Sequence, residues 1–498
     1  MKYFSNCIPL GMYCSVACFL FFISSLLITA CNGSEKKPVI LEEGDVTIYV
    51  TTTDRSQDFK KQAVNFSDEQ ASATITIRAE QRFQTIDGFG AAVTGSSAYN
   101  LLKMTSEDRT QFLKETFSPT EGMGQSYIRI AIGCSDFSLS EYTCWDDKDA
   151  GFALTSEEKN YVIPVLKEIL AINPSLKILG SPWTCPRWMK VNNLTNLQPY
   201  NMWTSGQLNP ACYSDYADYF VRWIQAFSGE GIVIYSVTPQ NEPLNRGNSA
   251  SLFMGWQEQR DFVQNAMIPQ FKAAGLTTKI YLFDHNYNYD NMNDQYEYPV
   301  KIYDAGVTDD LVAGAAYHNY GGSKDELIKI HNKYPDKELI FTETSIGTWN
   351  DGQNLSLRLM DDMNEVALGT VNNWCRAVIV WNLMLDSDRG PNRHGGCQTC
   401  YGAVDINRAN YRDIRKNSHY YIIGHLSSVV KPDATRIGSA ANAAAASLVY
   451  SAFENADGTY ALVLLNQTSE EIKTTITDGT KRFTHIIPRK SVVSYRWN

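Results

Sequence analysis

Apolar and polar residues alternate one for one near both ends of the chain. The run at 46–50 is Val-Thr-Ile-Tyr-Val, and the run at 73–78 is Ala-Thr-Ile-Thr-Ile-Arg. Successive side chains of a strand point to opposite faces, so this period marks half-buried strands. The same texture returns at 448–453, 460–465, 472–476 and 491–495. Asp457-Gly458 and Asp478-Gly479 fall between those runs and suit tight hairpin turns. The two ends together predict one β-sandwich, with residues 46–85 supplying its N-terminal strands and 429–498 the rest.

Between the ends the period changes. Short apolar runs alternate with longer amphipathic stretches. Eight runs read as strands, around 87–90, 126–131, 177–180, 232–237, 279–283, 311–315, 338–341 and 377–381. Some of the intervals are clear helices. Thr155 and Glu158 form a capping box ahead of Val162, Val165, Leu166, Ile169 and Leu170, which share one face, and Asn173-Pro174 stops the segment. A second helix is predicted over 214–227. Apolar strands alternating with helices require a parallel sheet covered on its outer face. Residues 86–428 are therefore predicted to form a (β/α)8 TIM barrel, an α/β fold carrying a β-sandwich side domain formed from both the N- and C-terminal segments.

The first thirty residues follow neither period. Lys2 precedes an apolar stretch over 8–30, which reads as a secretory signal rather than a membrane anchor. Its end, Leu27-Ile28-Thr29-Ala30-Cys31, resembles the bacterial lipobox, in which cleavage leaves Cys31 to be lipidated. Residues 31–45 read as a polar tether. The expected location is outside the cytoplasm, anchored by lipid to a bacterial membrane at its periplasmic or cell-surface face, with no other membrane contact.

Composition narrows the picture. With 44 Lys+Arg against 54 Asp+Glu the chain carries a net charge of -10, which makes it a poor nucleic-acid binder. Hydrophobic residues at 44% are ordinary for a globular fold and exclude disorder. Eleven cysteines are present. Cys7, Cys14 and Cys18 leave with the signal, and Cys31 takes lipid, so an odd number stay behind and at least one is free. Export permits disulfides. Cys134 and Cys144 could staple a loop. His394, Cys397 and Cys400 have zinc-like spacing without an evident fourth ligand, so a short disulfide or free thiols fit better than metal.

A TIM barrel places its chemistry at the C-terminal strand ends. There the sequence sets Arg129 to Asp136, Trp183, Asn241-Glu242, Asp284-His285-Asn286, His318, Tyr320, Glu343 and Trp381-Asn382. A glutamate directly after an apolar strand is costly to bury unless something compensates. One could be a salt-bridged rim residue. Two, after the fourth and seventh strands, suit glycoside hydrolysis, in which one carboxyl protonates the leaving oxygen and the other attacks the anomeric carbon.

Several segments carry a specific resemblance. They are Ile86-Asp-Gly-Phe-Gly-Ala-Ala-Val-Thr94, Arg129 with Cys134-Ser-Asp-Phe-Ser138, Ser181-Pro-Trp-Thr-Cys-Pro-Arg-Trp188, Thr238-Pro-Gln-Asn-Glu-Pro243, Phe341-Thr-Glu343, Trp381-Asn-Leu383 with Gly390-Pro-Asn392, and Tyr420-Tyr-Ile-Ile-Gly-His425. In this order they resemble glycoside hydrolase family 30, the family of glucosylceramidases and β-1,6-glucanases. The resemblance implies a retaining β-glycosidase that needs no metal and no organic cofactor. It makes Glu242 the acid/base and Glu343 the nucleophile. It implies that Asn241 binds the sugar 2-hydroxyl, that Arg129 and Tyr320 orient Glu343, and that Asp136, Trp183 and Trp381 hold the ring. His318 would donate a hydrogen bond in the same subsite, although a satisfied rim histidine fits its position as well. Trp349 suits a subsite wall and core packing equally. An acid at Asp136 favours a hexose over xylose. For a lipid-anchored bacterial chain the expected substrate is β-1,6-glucan, with glucosylceramide or another β-glucoside as the alternative enzyme reading and a non-catalytic carbohydrate-binding lipoprotein a remote third. His285, Asn286 and the Cys397–Cys400 loop have no counterpart in the resemblance.

Overall fold

The computed structural model describes residues 43–498. The signal segment, Cys31 and most of the tether lie outside the described residues. No helix among the described residues is long and apolar enough to cross a membrane.

Eight parallel strands form the barrel: Gly88–Ala91, Tyr127–Ile132, Lys177–Pro182, Ser236–Val237, Lys279–Asn286, Val312–His318, Glu338–Glu343 and Cys375–Val380. From the second strand on, each pairs with the next in chain order, and the eighth returns to the first through Ala377↔Gly88 and Val378↔Phe89. A bridge between Ala92 and Arg129 joins the first strand to the second and closes the cylinder. Tyr127, Leu179, Tyr281, Ala316, Ile340, Ala377 and Ile379 fill the interior. At the strand starts Lys177 Nζ donates to Asp87 at 2.7 Å and Lys279 Nζ to Glu338 at 2.9 Å, so paired charges close the lower end.

The helices pack where the apolar period places them. Tyr213–Gly229 buries Tyr216, Phe220, Trp223 and Phe227 on one face. Trp223 reaches the barrel wall only because Gly180 has no side chain, since a Cβ there would lie 2.9 Å from the indole. Half of the capping box forms as read, with the Thr155 amide donating to Glu158 Oε2 at 2.7 Å, while the Thr155 hydroxyl donates to the same oxygen at 2.6 Å and accepts from the Glu157 amide at 3.3 Å. The helix it opens ends at Ile172, with Asn173 as cap.

Nine strands in one hydrogen-bonded sheet make the sandwich, drawn from both chain ends. Val46–Thr52 lies beside Ser491–Trp497, pairing Val46 with Trp497. Val46, Ile48, Val50, Ile75, Ile77, Leu464 and Val493 are part of its core. The sheet turns a corner along Ala73–Thr85, where the pairing with Thr435–Ala441 jumps from Ile437↔Arg82 to Gly438↔Arg78. Three strands were not foreseen from the sequence. Lys60–Val64 and Arg482–Ile487 are the two edges of the sheet, half exposed, and so lack a clean alternation. Thr435–Ala441 is too small-sided to show an apolar period.

The barrel's last helix, Ser418–Ser427, is buried along its whole length. Its His425 bonds Ser494 at 2.7 Å and Thr51 at 2.8 Å, one residue from each end of the chain. Barrel and sandwich thus share a buried joint.

The cysteines correct one expectation. Cys134 and Cys144 are both free and buried, and Cys144 Sγ instead donates to Glu158 at 3.2 Å. Cys397 and Cys400 are bonded to each other, which takes both sulfurs out of any zinc site.

Candidate active site

Arg129 organises the upper end of the barrel. It is 0% exposed, held on the second strand. Nη1 pairs with Glu343 Oε2. Nη2 donates to Asn241 Oδ1 and to Asp284 Oδ2, each at 2.7 Å, and Nε to Ser181 at 3.2 Å. The guanidinium lies 4.9 Å from the Trp183 ring centre and 5.5 Å from that of Trp381. A buried cation needs this many acceptors to offset its lost hydration.

Asp284 is the counter-charge beneath. It accepts from Arg129, Thr238, Ser181, Thr342 and the His318 ring. Burial raises its carboxyl, but the Arg129 charge and the His318 bond outweigh that and hold it far below the usual range. Replacing Arg129 by glutamine is therefore expected to leave Asp284 and Glu343 buried with only His318 as a cationic partner, at a cost of about 3–5 kcal/mol. Thermal unfolding of the variant checks this, and stability within about 1 kcal/mol of wild type would show that Arg129 is not the keystone.

His318 bridges Asp284 and Glu242, with Nε2 3.0 Å from Asp284 Oδ1 and Nδ1 3.4 Å from Glu242 Oε1. Burial lowers its pKa, yet the charge of Glu343 and the bonds to both partners raise it to about 9. Glu242 answers in the other direction. Burial raises it, but the His318 bond and the His285 and His318 charges hold it down to about 2. The pair titrates together, with the contact favouring the charged form of each partner. Glu242 Oε2 also accepts from Asn245 and Asn248, each at 2.8 Å. Glu343 Oε1 accepts from the Tyr320 hydroxyl at 3.0 Å. Burial raises the Glu343 carboxyl above its usual range, and His318 and Arg129 offset that only in part.

One oxygen each of Glu242 and Glu343 lies within 4.8 Å of the other and of a His318 nitrogen. That spacing also fits metal ligands. Both His318 nitrogens already face carboxylates, however, and Arg129 supplies the local positive charge.

Above the pair opens a cleft of about 290 Å³ lined by Asp136, Trp183, Trp381, Tyr320 and a polar group formed by Asn245, Asn248, Asn286 and Ser345. Trp183 and Trp381 stack on each other, 5.0 Å between centres. Asp136 lines the cleft but is only 8% exposed, and its buried Oδ1 has no hydrogen-bond partner in the protein. Burial, then the charge of Glu343, pushes its pKa up to about 7. Its stabilising contribution is then full below about pH 4 and lost as pH rises through about 7. Asp136→Asn is expected to melt roughly 2–4 °C higher than wild type at pH 8 and at the same temperature at pH 4. It is also expected to bind sugar more weakly. Melting curves at the two pH values check it.

The sequence-named residues converge, at two depths. Glu242, Glu343, Asp136, Trp183, Trp381 and Tyr320 line the cleft. Arg129 and His318 are fully buried behind the glutamates, each in contact with one of their carboxyls. Asn241 lies between, with Oδ1 on Arg129. His285 is also buried, 3.9 Å from Glu242 and 3.5 Å from Asp290. The roles of Asp284, Asn245 and Asn248 were not foreseen. The one signal was position: Asp284 at a strand end, and the asparagines three and six residues after Glu242.

Two protein-family models match the chain. The Glycosyl hydrolase family 30 TIM-barrel domain matches residues 86–430, and the Glycosyl hydrolase family 30 beta sandwich domain matches residues 433–495. The solved structure of the endo-beta1,6-glucanase BT3312 is 64% identical with a TM-score of 0.90, over 91% of this chain and 99% of that one. Endo-1,6-beta-D-glucanase BGN16.3 of Trichoderma harzianum is 32% identical over 83% of this chain and 84% of its own length. Putative glucosylceramidase 4 of Caenorhabditis elegans is 27% identical over 88% and 85%.

Proposed function

We propose that this chain, which belongs to glycosyl hydrolase family 30, cleaves β-1,6-glucan within the polymer by a retaining double displacement at Glu242 and Glu343. The observation that carries the mechanism is the separation of the carboxylates. One oxygen of each lies within 4.8 Å of the other, which supports the close pairing of a retaining enzyme over the roughly 6.5–9.5 Å separation of an inverting one.

In the first step Glu343 attacks the anomeric carbon while the leaving oxygen takes a proton from Glu242. Arg129 and Tyr320 aim the nucleophile and favour its charged form. The proton comes from the Glu242–His318 pair: as the substrate displaces water, it moves from the imidazole to the carboxyl. In the second step Glu242 draws a proton from water, which attacks the glycosyl-enzyme and frees Glu343. Asn241 holds the 2-hydroxyl, Asp136 the outer hydroxyls, and Trp183 and Trp381 the ring.

The substrate reading draws support from the glucanase relatives and from the cleft. Asn245, Asn248 and Asn286 surround Glu242 and Tyr320. Amides suit sugar hydroxyls, whereas a ceramide needs an apolar rim. Residues 1–31 support an exported, lipid-anchored enzyme that meets polysaccharide outside the cytoplasm.

The deciding experiment incubates the form starting after Cys31 with β-1,6-glucan, laminarin, xylan, an aryl β-glucoside and glucosylceramide, resolving products by size over time. Intermediate oligosaccharides early in the β-1,6-glucan digest are the expected result. Glucose released only from glucosylceramide or the aryl glucoside, with the glucan intact, would replace this reading with a glucosylceramidase.

A further inference from the structure

The nucleophile strand continues into a small ribbon at the cleft mouth. Ile346–Gly347 pairs antiparallel with Cys400–Tyr401, and the Thr348 amide adds a bond to the Thr399 carbonyl at 2.9 Å. The Cys397–Cys400 disulfide closes the partner strand, and both sulfur-bearing residues line the cleft. From this ribbon a single 3-10 turn, Thr348–Asn350, projects Trp349.

Trp349 is 53% exposed, the one exposed tryptophan among the described residues. It also lines the cleft that holds Glu242 and Glu343. Core packing, the other role open to it from sequence, is excluded by that exposure. Its indole is nonetheless firmly seated. The ring lies over the Gly347 α-carbon so closely that a Cβ there would fall inside it. Gly347 is in extended backbone that any residue can adopt, so contact with the indole, and not a backbone requirement, is what excludes a side chain. The seat is pinned by Asn350 Oδ1 on the Gly347 amide at 2.9 Å and by the Gly352 amide on the Gly347 carbonyl at 2.8 Å. A large aromatic surface left in water, held rigid at the rim of a polar cleft, is a preformed binding face: little ordering entropy is lost when a ring covers it.

We propose that Trp349 is the stacking platform for the glucosyl unit adjacent to the one being cleaved, and that Gly347 and the disulfide-closed hairpin exist to hold it there. The inference rests on the polysaccharide reading above and deepens it. Trp183 and Trp381 are buried on each other around the cleaved ring, so a second, exposed tryptophan face at the mouth makes the enzyme grip a chain rather than a single sugar. An apolar sugar face needs only the flat indole, while the neighbouring asparagines serve its hydroxyls.

The test compares wild type, Trp349→Ala, Trp349→Phe and Gly347→Ala on β-1,6-glucan. Trp349→Ala is expected to raise KM about tenfold, equivalent to about 1.4 kcal/mol, with kcat within about twofold. Phenylalanine should restore most of the loss. Gly347→Ala should reproduce the KM increase with the indole still present, because it displaces the ring from its seat. Unchanged KM in Trp349→Ala, or a phenylalanine variant as poor as alanine with a lowered melting temperature, would overturn the proposal and leave Trp349 a surface or structural residue. If Trp349→Ala does not fold, the phenylalanine and Gly347 variants decide. Wild-type enzyme that fails to cleave the glucan would overturn the substrate reading itself, an outcome distinct from a wild type that cleaves and variants that do not differ.

Discussion

Glu343→Gln is expected to keep the cleft and its affinity for sugar while lowering turnover of β-1,6-glucan by roughly 10⁴-fold or more, the scale set by removal of a covalent nucleophile. Glutamine preserves the volume of a 6% exposed side chain, so no cavity opens. It removes one negative charge from Arg129, but Asp284 stays at 2.7 Å from the guanidinium. The cation therefore keeps a buried partner, and the fold is expected to survive. Tyr320 can still donate to the amide oxygen. Three measurements together check this: initial rates on the glucan, calorimetric binding of β-1,6-linked oligosaccharides, and thermal unfolding. Normal folding and binding with turnover lost is the expected pattern. A variant that kept a tenth of wild-type activity would remove Glu343 from the nucleophile role.

Glu242→Ala should behave differently, because what it loses depends on the leaving group. A sugar hydroxyl is a poor leaving group and needs its proton, so the glucan rate is expected to fall by about 10²–10⁴-fold, the usual worth of general acid catalysis. A dinitrophenyl β-glucoside departs without a proton, so its first step should be nearly unchanged and the glycosyl-enzyme should accumulate. Azide needs no general base and should then accelerate release, giving β-glucosyl azide. Product of the β configuration would establish both the retaining course and the role of Glu242. No rescue, together with an equal loss on both substrates, would contradict it. The variant also withdraws one of the supports of His318. Wild-type His318 titrates near 9, above its ordinary value of 6.5, so the stability it contributes is full below about 6.5 and is lost as pH rises through 9. That loss should shift to lower pH in Glu242→Ala.

The barrel could be read from the sequence because parallel strands covered on both faces are apolar without interruption, and helices between them are not. The limits of that reading follow from the same rule. The fifth strand read from apolarity stops at Phe283, but in the structure it runs to Asn286. Phe283 and Asp284 both have φ of 71°, and the pairing with the next strand slips between Phe283 and His285. That irregularity turns Asp284 inward to Arg129 and His318, where hydrophobicity alone suggests a loop. The fourth run, 232–237, is apolar but for Ser236, yet only Ser236–Val237 joins the sheet. Ile232 and Ile234 are buried nevertheless, while Val233 between them is exposed, so apolarity in this run did not report pairing. The two glutamates were legible because a carboxylate after a buried strand is costly, and that cost is visible in one dimension. Asn245, Asn248 and Thr342 carry no such signature, since an amide or hydroxyl in a loop is ordinary until a neighbour from elsewhere in the chain needs it. The Cys397–Cys400 disulfide was one of the open readings, and its position at the cleft mouth was not.

The pairing of Val46 with Trp497 has a consequence for how the molecule is made. The strand Val46–Thr52 is synthesised first, and its central neighbour Ser491–Trp497 last, with the whole barrel between them. At 5–20 residues per second the wait is on the order of tens of seconds. Throughout it, Val46, Ile48 and Val50 lack the C-terminal part of their core, and an apolar strand with an open edge is a template for pairing between chains. Biosynthesis must therefore shelter the earliest segment of the chain until the latest one arrives, and a chain broken off before Ser491 would leave that segment permanently exposed.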